Sequence, residues 1–184
     1  MICSRLISRE GAVLAIIDVQ DKLIQRVVNK EVIIKNITKL VKFAKIIGMP
    51  IILTEQYPKG LGRTVDPIRK LIPSVRPIEK LSFNCFLSEE FRRKLEEIDT
   101  TTLILVGIEA HICVIQTALC GLDKFKIYVI SDAISSRRKE DLTTAIERMR
   151  REGVTLASTE MLIYEMLKEA GTDEFKKALE IIKQ

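Results

Sequence analysis

The sequence predicts an α/β protein, a three-layer αβα sandwich with a mostly parallel central sheet, formed by residues 1–184 as a single domain. Two patterns predict this. Short apolar runs alternate with longer amphipathic stretches, the order expected of strands connected by helices. The runs themselves lack polar alternation, so their strands are covered on both faces, as in a parallel sheet. Size agrees: 184 residues, 47% hydrophobic and 30% charged, suit one soluble domain with a real core.

Residues 13–18 read as the first strand. Residues 32–47 follow as a helix, with Ile33, Ile37, Leu40, Val41 and Ala44 at helical spacing, ended by Gly48 and Pro50. Residues 51–54 are the second strand, and 55–64, with Pro58, Gly60 and Gly62, an irregular functional loop. Residues 75–79 are a short third strand, after which Ser88 caps a helix that buries Phe91 and Leu95. Strands at 102–106 and 127–131 flank a helix from 114 to 122. A helix at 142–152, a last strand at 154–158, and helices at 159–170 and 174–183 complete the chain.

Ligands of open α/β sheets bind beyond the carboxyl ends of the strands. Asp18, Glu55, Lys80 and Cys113 all fall at such ends. Cys113 opens the 114–122 helix after the turn Gly107-Ile108-Glu109-Ala110. There the helix dipole and free N–H groups favour a thiolate. An ordinary thiol is little ionised at neutral pH and needs a base, cation or dipole to act as a nucleophile. The plain alternative is a cysteine packed at a strand–helix junction. Asp18 is equally open: a proton acceptor for that thiol, or a loop carboxylate that caps a helix or pairs with Lys22.

Five segments together, in this order, resemble the isochorismatase-like cysteine hydrolases over nearly the whole chain. They are Ile16-Ile17-Asp18-Val19-Gln20, Thr54-Glu55-Gln56-Tyr57-Pro58-Lys59-Gly60-Leu61-Gly62, Glu79-Lys80, the Cys113 segment, and Ser131-Asp132-Ala133-Ile134-Ser135-Ser136-Arg137. The resemblance implies a catalytic set of Asp18, Lys80 and Cys113. In that set Cys113 attacks, Asp18 shuttles the proton, and Lys80 supports the pair and orients substrate. It also implies an oxyanion hole from the backbone N–H groups of Glu109 and Cys113, and a cis Ile108–Glu109 peptide. Gln20, Glu55, Gln56, Tyr57, Phe83, Phe86 and His111 are the expected substrate contacts. Glu55 has a second reading, as a support for Lys80 or the Cys113 loop, and His111 another, as a structural turn residue. Phe83 and Phe86 read equally well as pocket wall or as core under a loop.

No metal or cofactor is expected, because a single histidine and scattered cysteines cannot build an ordinary zinc site. Relatives that hydrolyse nicotinamide carry histidine ligands after the second strand, where this chain has Glu55-Gln56-Tyr57-Pro58. Siderophore-pathway isochorismatases lack the cysteine nucleophile, which argues against isochorismate as substrate. The expected reaction is hydrolysis of a small amide or related C–N bond through a Cys113 thioester. The rivals are a non-catalytic binding protein that kept the fold, and a thiol redox sensor.

The formal charge of +5 is spread along helices with acids and bases interleaved, a solvated surface and not a nucleic-acid footprint. No signal peptide or membrane span is read, so the expectation is cytoplasmic. Cys3, Cys85 and Cys120 read as inert apolar residues. The partners expected are a small-molecule substrate and a second copy of the chain. Ile134, Met161, Ile163 and Met166 are the candidate seam of that homo-oligomer.

Overall fold

The computed structural model describes residues 6–183. Its elements run β1 (Ala12–Ile17), α1 (Asp21–Ile24), α2 (Lys30–Ile47), β2 (Ile51–Gln56), α3 (Pro58–Leu61), α4 (Asp66–Arg69), β3 (Ile78–Lys80) and α5 (Glu89–Glu97). They continue with β4 (Thr102–Ile108), a π-helical turn (Ala110–Val114), α6 (Ile115–Gly121), β5 (Lys126–Ser135), α7 (Lys139–Arg151), β6 (Thr155–Ala157), α8 (Thr159–Leu167) and α9 (Asp173–Ile182). The six strands form one sheet in the order β3-β2-β1-β4-β5-β6, every pairing parallel.

Successive side chains of a strand point to opposite faces, and β1 divides accordingly. Leu14 and Ile16 join the core formed with α2, α8 and α9, whereas Val13, Ala15 and Ile17 join the one formed with α5, α6 and α7. The stripe Ile33, Ile37, Leu40, Val41 and Ala44 holds α2 against the first face. Phe91 and Leu95 hold α5 against the second, and Ser88 caps that helix by accepting from the Phe91 N–H at 3.4 Å. Burial of each large aliphatic side chain contributes about 1.5–3 kcal/mol. These are the three layers the sequence predicts.

The chain runs from β1 to β2 on one side of β1, while β4 lies on its other side. The sheet therefore reverses its winding between β1 and β4, and a crevice opens at their carboxyl ends. Two backbone features shape it. Asp18 leaves β1 with φ 52°, a left-handed conformation that Asp tolerates better than most residues. Gly107, opposite Ile17 in the register, has φ 122°, and a Cβ there would stand 2.1 Å from the Ile17 carbonyl oxygen. Only glycine lets β1 and β4 approach this closely.

Several boundaries differ from the sequence reading. The third strand starts at Ile78, after Pro77, which has no N–H to donate to a ladder. It includes Lys80 rather than ending before it. β5 extends to Ser135, and Glu55 and Gln56 belong to β2. The loop after β2 contains the single helical turn α3. The expected oligomer seam also fails: Ile134, Ile163 and Met166 are buried in the chain's own core, and only Met161 is half-exposed. Among the described residues no helix is long and apolar enough to cross a membrane.

Candidate active site

Asp18, Lys80 and Cys113 meet at the carboxyl ends of β1, β3 and β4. Asp18 is fully buried and Lys80 and Cys113 nearly so. Thr54, on β2, donates to Asp18 Oδ1 at 2.7 Å, and Lys80 Nζ donates to Oδ2 at 2.6 Å. The ammonium also donates to Gln56 Oε1 at 3.0 Å and to the Ser82 carbonyl at 3.1 Å. All three of its protons are thus used, so Lys80 orients Asp18 and Gln56 and has no donor left for substrate. The Cys113 thiol hydrogen-bonds to the Asp18 carboxylate from the π-helical turn. The Ile108–Glu109 peptide that enters this turn is cis, as the resemblance implies.

The electrostatics reverse the helix-start expectation for Cys113. Burial first, and then the Asp18 carboxylate, push the thiol's pKa upward; the Lys80 ammonium opposes them and is outweighed. The resting nucleophile is a neutral thiol that must give up its proton as it attacks. For Lys80, burial disfavours the charge, but Asp18, Cys85 and Cys113 more than offset it and raise its pKa. Cys85 is a neutral, fully buried core thiol. It lies beside this pair, hydrogen-bonded to Thr117 and Thr54, and burial lifts its thiol from 9.0 to about 11. Cys120 is exposed, and Cys3 lies outside the described residues.

The raised Cys85 pKa ties stability to alkaline pH. An unfolded chain loses a thiol proton near 9.0, while native Cys85 holds its own until about 11. The stabilisation is complete below the lower value and is lost between the two, at about 1.4 kcal/mol for each pH unit crossed. We expect guanidinium unfolding to show stability falling by about 2–3 kcal/mol over this alkaline window from Cys85 alone. In Cys85→Ala the fall is shallower. Equal falls in the two proteins would contradict the assignment.

A cavity of about 340 Å³ opens in front of Cys113. Cys113, Gln56 and Glu109 form its polar floor; Leu23, Leu61, Phe83 and Ile112 form apolar walls. Lys22, Arg26 and Arg137 complete the lining. Glu109 is fixed by Arg137, whose Nε lies 2.8 Å from Oε1 and 3.1 Å from Oε2.

Of the expected substrate contacts, Gln56 and Phe83 line this cavity. The others do not, each for a local reason. Gln20 clamps the β2 exit, donating to the carbonyls of Gln56 and Gly62 and accepting from the Gln56 N–H. Glu55 accepts from the N–H and hydroxyl of Thr64, both at 2.7 Å, and holds neither Lys80 nor the Cys113 loop. Tyr57 packs its ring over Gly60 and is half-exposed. Phe86 is partly buried and packs against the core, ring to ring with Phe91 and Phe125. His111 turns away: its Nδ1 meets Ser136 Oγ at 2.9 Å and its Nε2 lies 3.4 Å from Glu109, so it braces the turn. Lys22, offered as a partner for Asp18, instead donates to the Gly60 carbonyl at 2.7 Å.

Sequence reasoning missed Thr54, Leu23, Arg26 and Ile112 as site residues. Thr54 carries a readable signal, since it stands two residues before the end of β2 and pairs with Ile17 next to Asp18. Leu23 and Arg26 lie in and just after α1, a single turn with no periodicity to reveal it.

Residues 12–161 match the profile of the Isochorismatase domain. Isochorismatase domain-containing protein 2 of Rattus norvegicus is 33% identical over 177 residues, 95% of this chain and 82% of that protein. The secreted isochorismatase effector Isc1 of Phytophthora sojae is 33% identical over 179 residues, covering 95% and 85%. Among solved structures, the MAR1 ribonuclease of Caenorhabditis elegans superposes with a TM-score of 0.91 at 30% identity, covering 97% of this chain and 93% of that one.

Proposed function

The chain belongs to the isochorismatase family, a family of hydrolase fold, and on that premise we propose that it is a metal-independent cysteine hydrolase of a small amide or related C–N bond. One observation carries the reading: a cavity-lining thiol hydrogen-bonded to a buried carboxylate whose two oxygens are separately held by Thr54 and Lys80. A passive binding site gains nothing from burying that pair.

In this mechanism Cys113 Sγ attacks the carbonyl carbon as its proton passes to Asp18. Negative charge on the carbonyl oxygen is met by the N–H groups of Glu109 and Cys113. The C–N bond breaks, Asp18 returns the proton to the departing nitrogen, and a thioester remains on Cys113. Water then attacks the thioester, giving its proton to Asp18. The tetrahedral intermediate expels the Cys113 sulfur, which regains the proton, and the acid leaves. Lys80 keeps Asp18 oriented throughout.

The Caenorhabditis elegans neighbour is named a ribonuclease. For this chain a thiol at the floor of a 340 Å³ cavity favours a small molecule over a polynucleotide. The reading includes a homo-oligomer, supported by the exposed apolar side chains Leu81, Phe83 and Leu87. It also includes a cytoplasmic setting, where the free thiols Cys85, Cys113 and Cys120 stay reduced.

The test is release of ammonia or amine from a panel of small primary amides, ureas and carbamoyl compounds, with and without EDTA. Turnover of at least one compound that EDTA leaves unchanged is expected, because the single histidine is already engaged by Ser136 and Glu109. Activity lost to EDTA and restored by zinc would contradict the metal-independent reading.

A further inference from the structure

We propose that the substrate of this site carries a carboxylate, bound by Arg26 at the mouth of the Cys113 cavity. The inference rests on the cysteine-hydrolase reading and adds the substrate class to it.

The charges around the cavity do not balance. Three cationic side chains line it against one carboxylate, that of Glu109. Arg137 is committed to that carboxylate through its Nε. Lys22 is tied to the Gly60 carbonyl. Behind the floor, Lys80 and Asp18 neutralise each other. Arg26 is different: its guanidinium makes no hydrogen bond or ion pair among the described residues, although it borders the same cavity as the nucleophile. An exposed arginine on an open surface would mean little. This one adjoins the walls formed by Leu23, Leu61 and Ile112, where water is partly excluded and a charge acts more strongly than in bulk solvent.

A guanidinium presents a planar fork of donors that matches the two oxygens of a carboxylate. The apolar walls between Arg26 and Cys113 suit a short hydrocarbon spacer. The ligand that fits is a small acid whose scissile carbonyl reaches the floor while its carboxylate stays at the rim.

The test uses two alkylating reagents of similar size, N-iodoacetyl-β-alanine and its primary amide, each with one iodine-bearing CH₂ group separated from the carboxylate or amide by a short spacer. With either, Cys113 Sγ forms a bond to the CH₂ carbon, iodide leaves, and the thiol proton passes to Asp18. Modification at Cys113 is followed by peptide mass spectrometry. The acid-to-amide rate ratio is divided by the same ratio for glutathione. A normalised ratio of about ten or more is expected, the scale of one charge-assisted hydrogen bond. It should fall to within about threefold of one in Arg26→Gln, an exposed position whose substitution leaves the fold intact. A normalised ratio near one in the wild type, or a high ratio that survives Arg26→Gln, overturns the proposal while leaving the nucleophile intact. If neither reagent modifies Cys113 while exposed Cys120 reacts, the hydrolase reading falls and this inference falls with it.

Discussion

Replacing Cys113 by alanine is expected to reduce turnover of any amide substrate by at least ~10⁴-fold, because nothing else at the cavity floor can form the covalent bond. Of its polar neighbours there, the Gln56 amide is not a nucleophile and the Glu109 carboxylate is engaged by Arg137. The fold should survive. The substitution removes one sulfur from a side chain at the cavity surface and leaves the Asp18–Lys80 pair intact. A cost of about 1 kcal/mol corresponds to a melting temperature lowered by roughly 2–4 °C in a chain of this size. Steady-state rates and thermal unfolding of the same preparation separate the two effects. An alanine variant that retains full turnover would end the mechanism.

The second large effect concerns the pair behind the nucleophile. With side chains 1% and 0% exposed and 2.6 Å apart, Lys80 and Asp18 cannot be separated cheaply. Lys80→Met leaves a carboxylate in a buried site with only the Thr54 hydroxyl and the Cys113 thiol as donors. Breaking such a pair costs about 3–5 kcal/mol, roughly 10 °C of melting temperature. Asp18→Asn should cost a similar amount. The double variant Asp18→Asn, Lys80→Met is expected to recover most of that stability, since a buried ion pair replaced as a whole is often nearly neutral. It should recover no activity, having lost the proton acceptor. Thermal unfolding of the two single variants and the double one checks this. A Lys80→Met protein that melts with the wild type would show that the pair is not the buried, coupled unit described.

The fold is readable in the sequence because its determinants are local and periodic. Uninterrupted apolar runs such as Ala12–Ile17 and Thr102–Ile108 announce strands covered on both faces, and α2 displays its buried stripe in plain spacing. The rule for open sheets then brings Asp18, Lys80 and Cys113 to one edge without reference to any side-chain position. What stays hidden is direction. Neighbours on a strand face opposite ways, so Glu55 and Gln56 look alike in sequence, yet one holds Thr64 and the other lines the cavity. His111, two residues before the nucleophile, is swung toward Ser136 by a π-helical turn that no spacing pattern reveals. The state of the Cys113 thiol is hidden for a related reason. A helix start near a cysteine can be read from sequence, but the burial and the Asp18 carboxylate that raise the thiol's pKa depend on residues distant in the chain.

The most direct test of the mechanism is to quench the enzyme in acid during turnover of an active amide and weigh it intact. The predicted result is a mass increase equal to the acyl part of the substrate, mapped by peptide sequencing to Cys113 and missing from Cys113→Ala. A protein that turns over substrate and yet shows no acyl mass even in rapid single-turnover quenches, or shows it on Cys85 or Cys120, would contradict a Cys113 thioester.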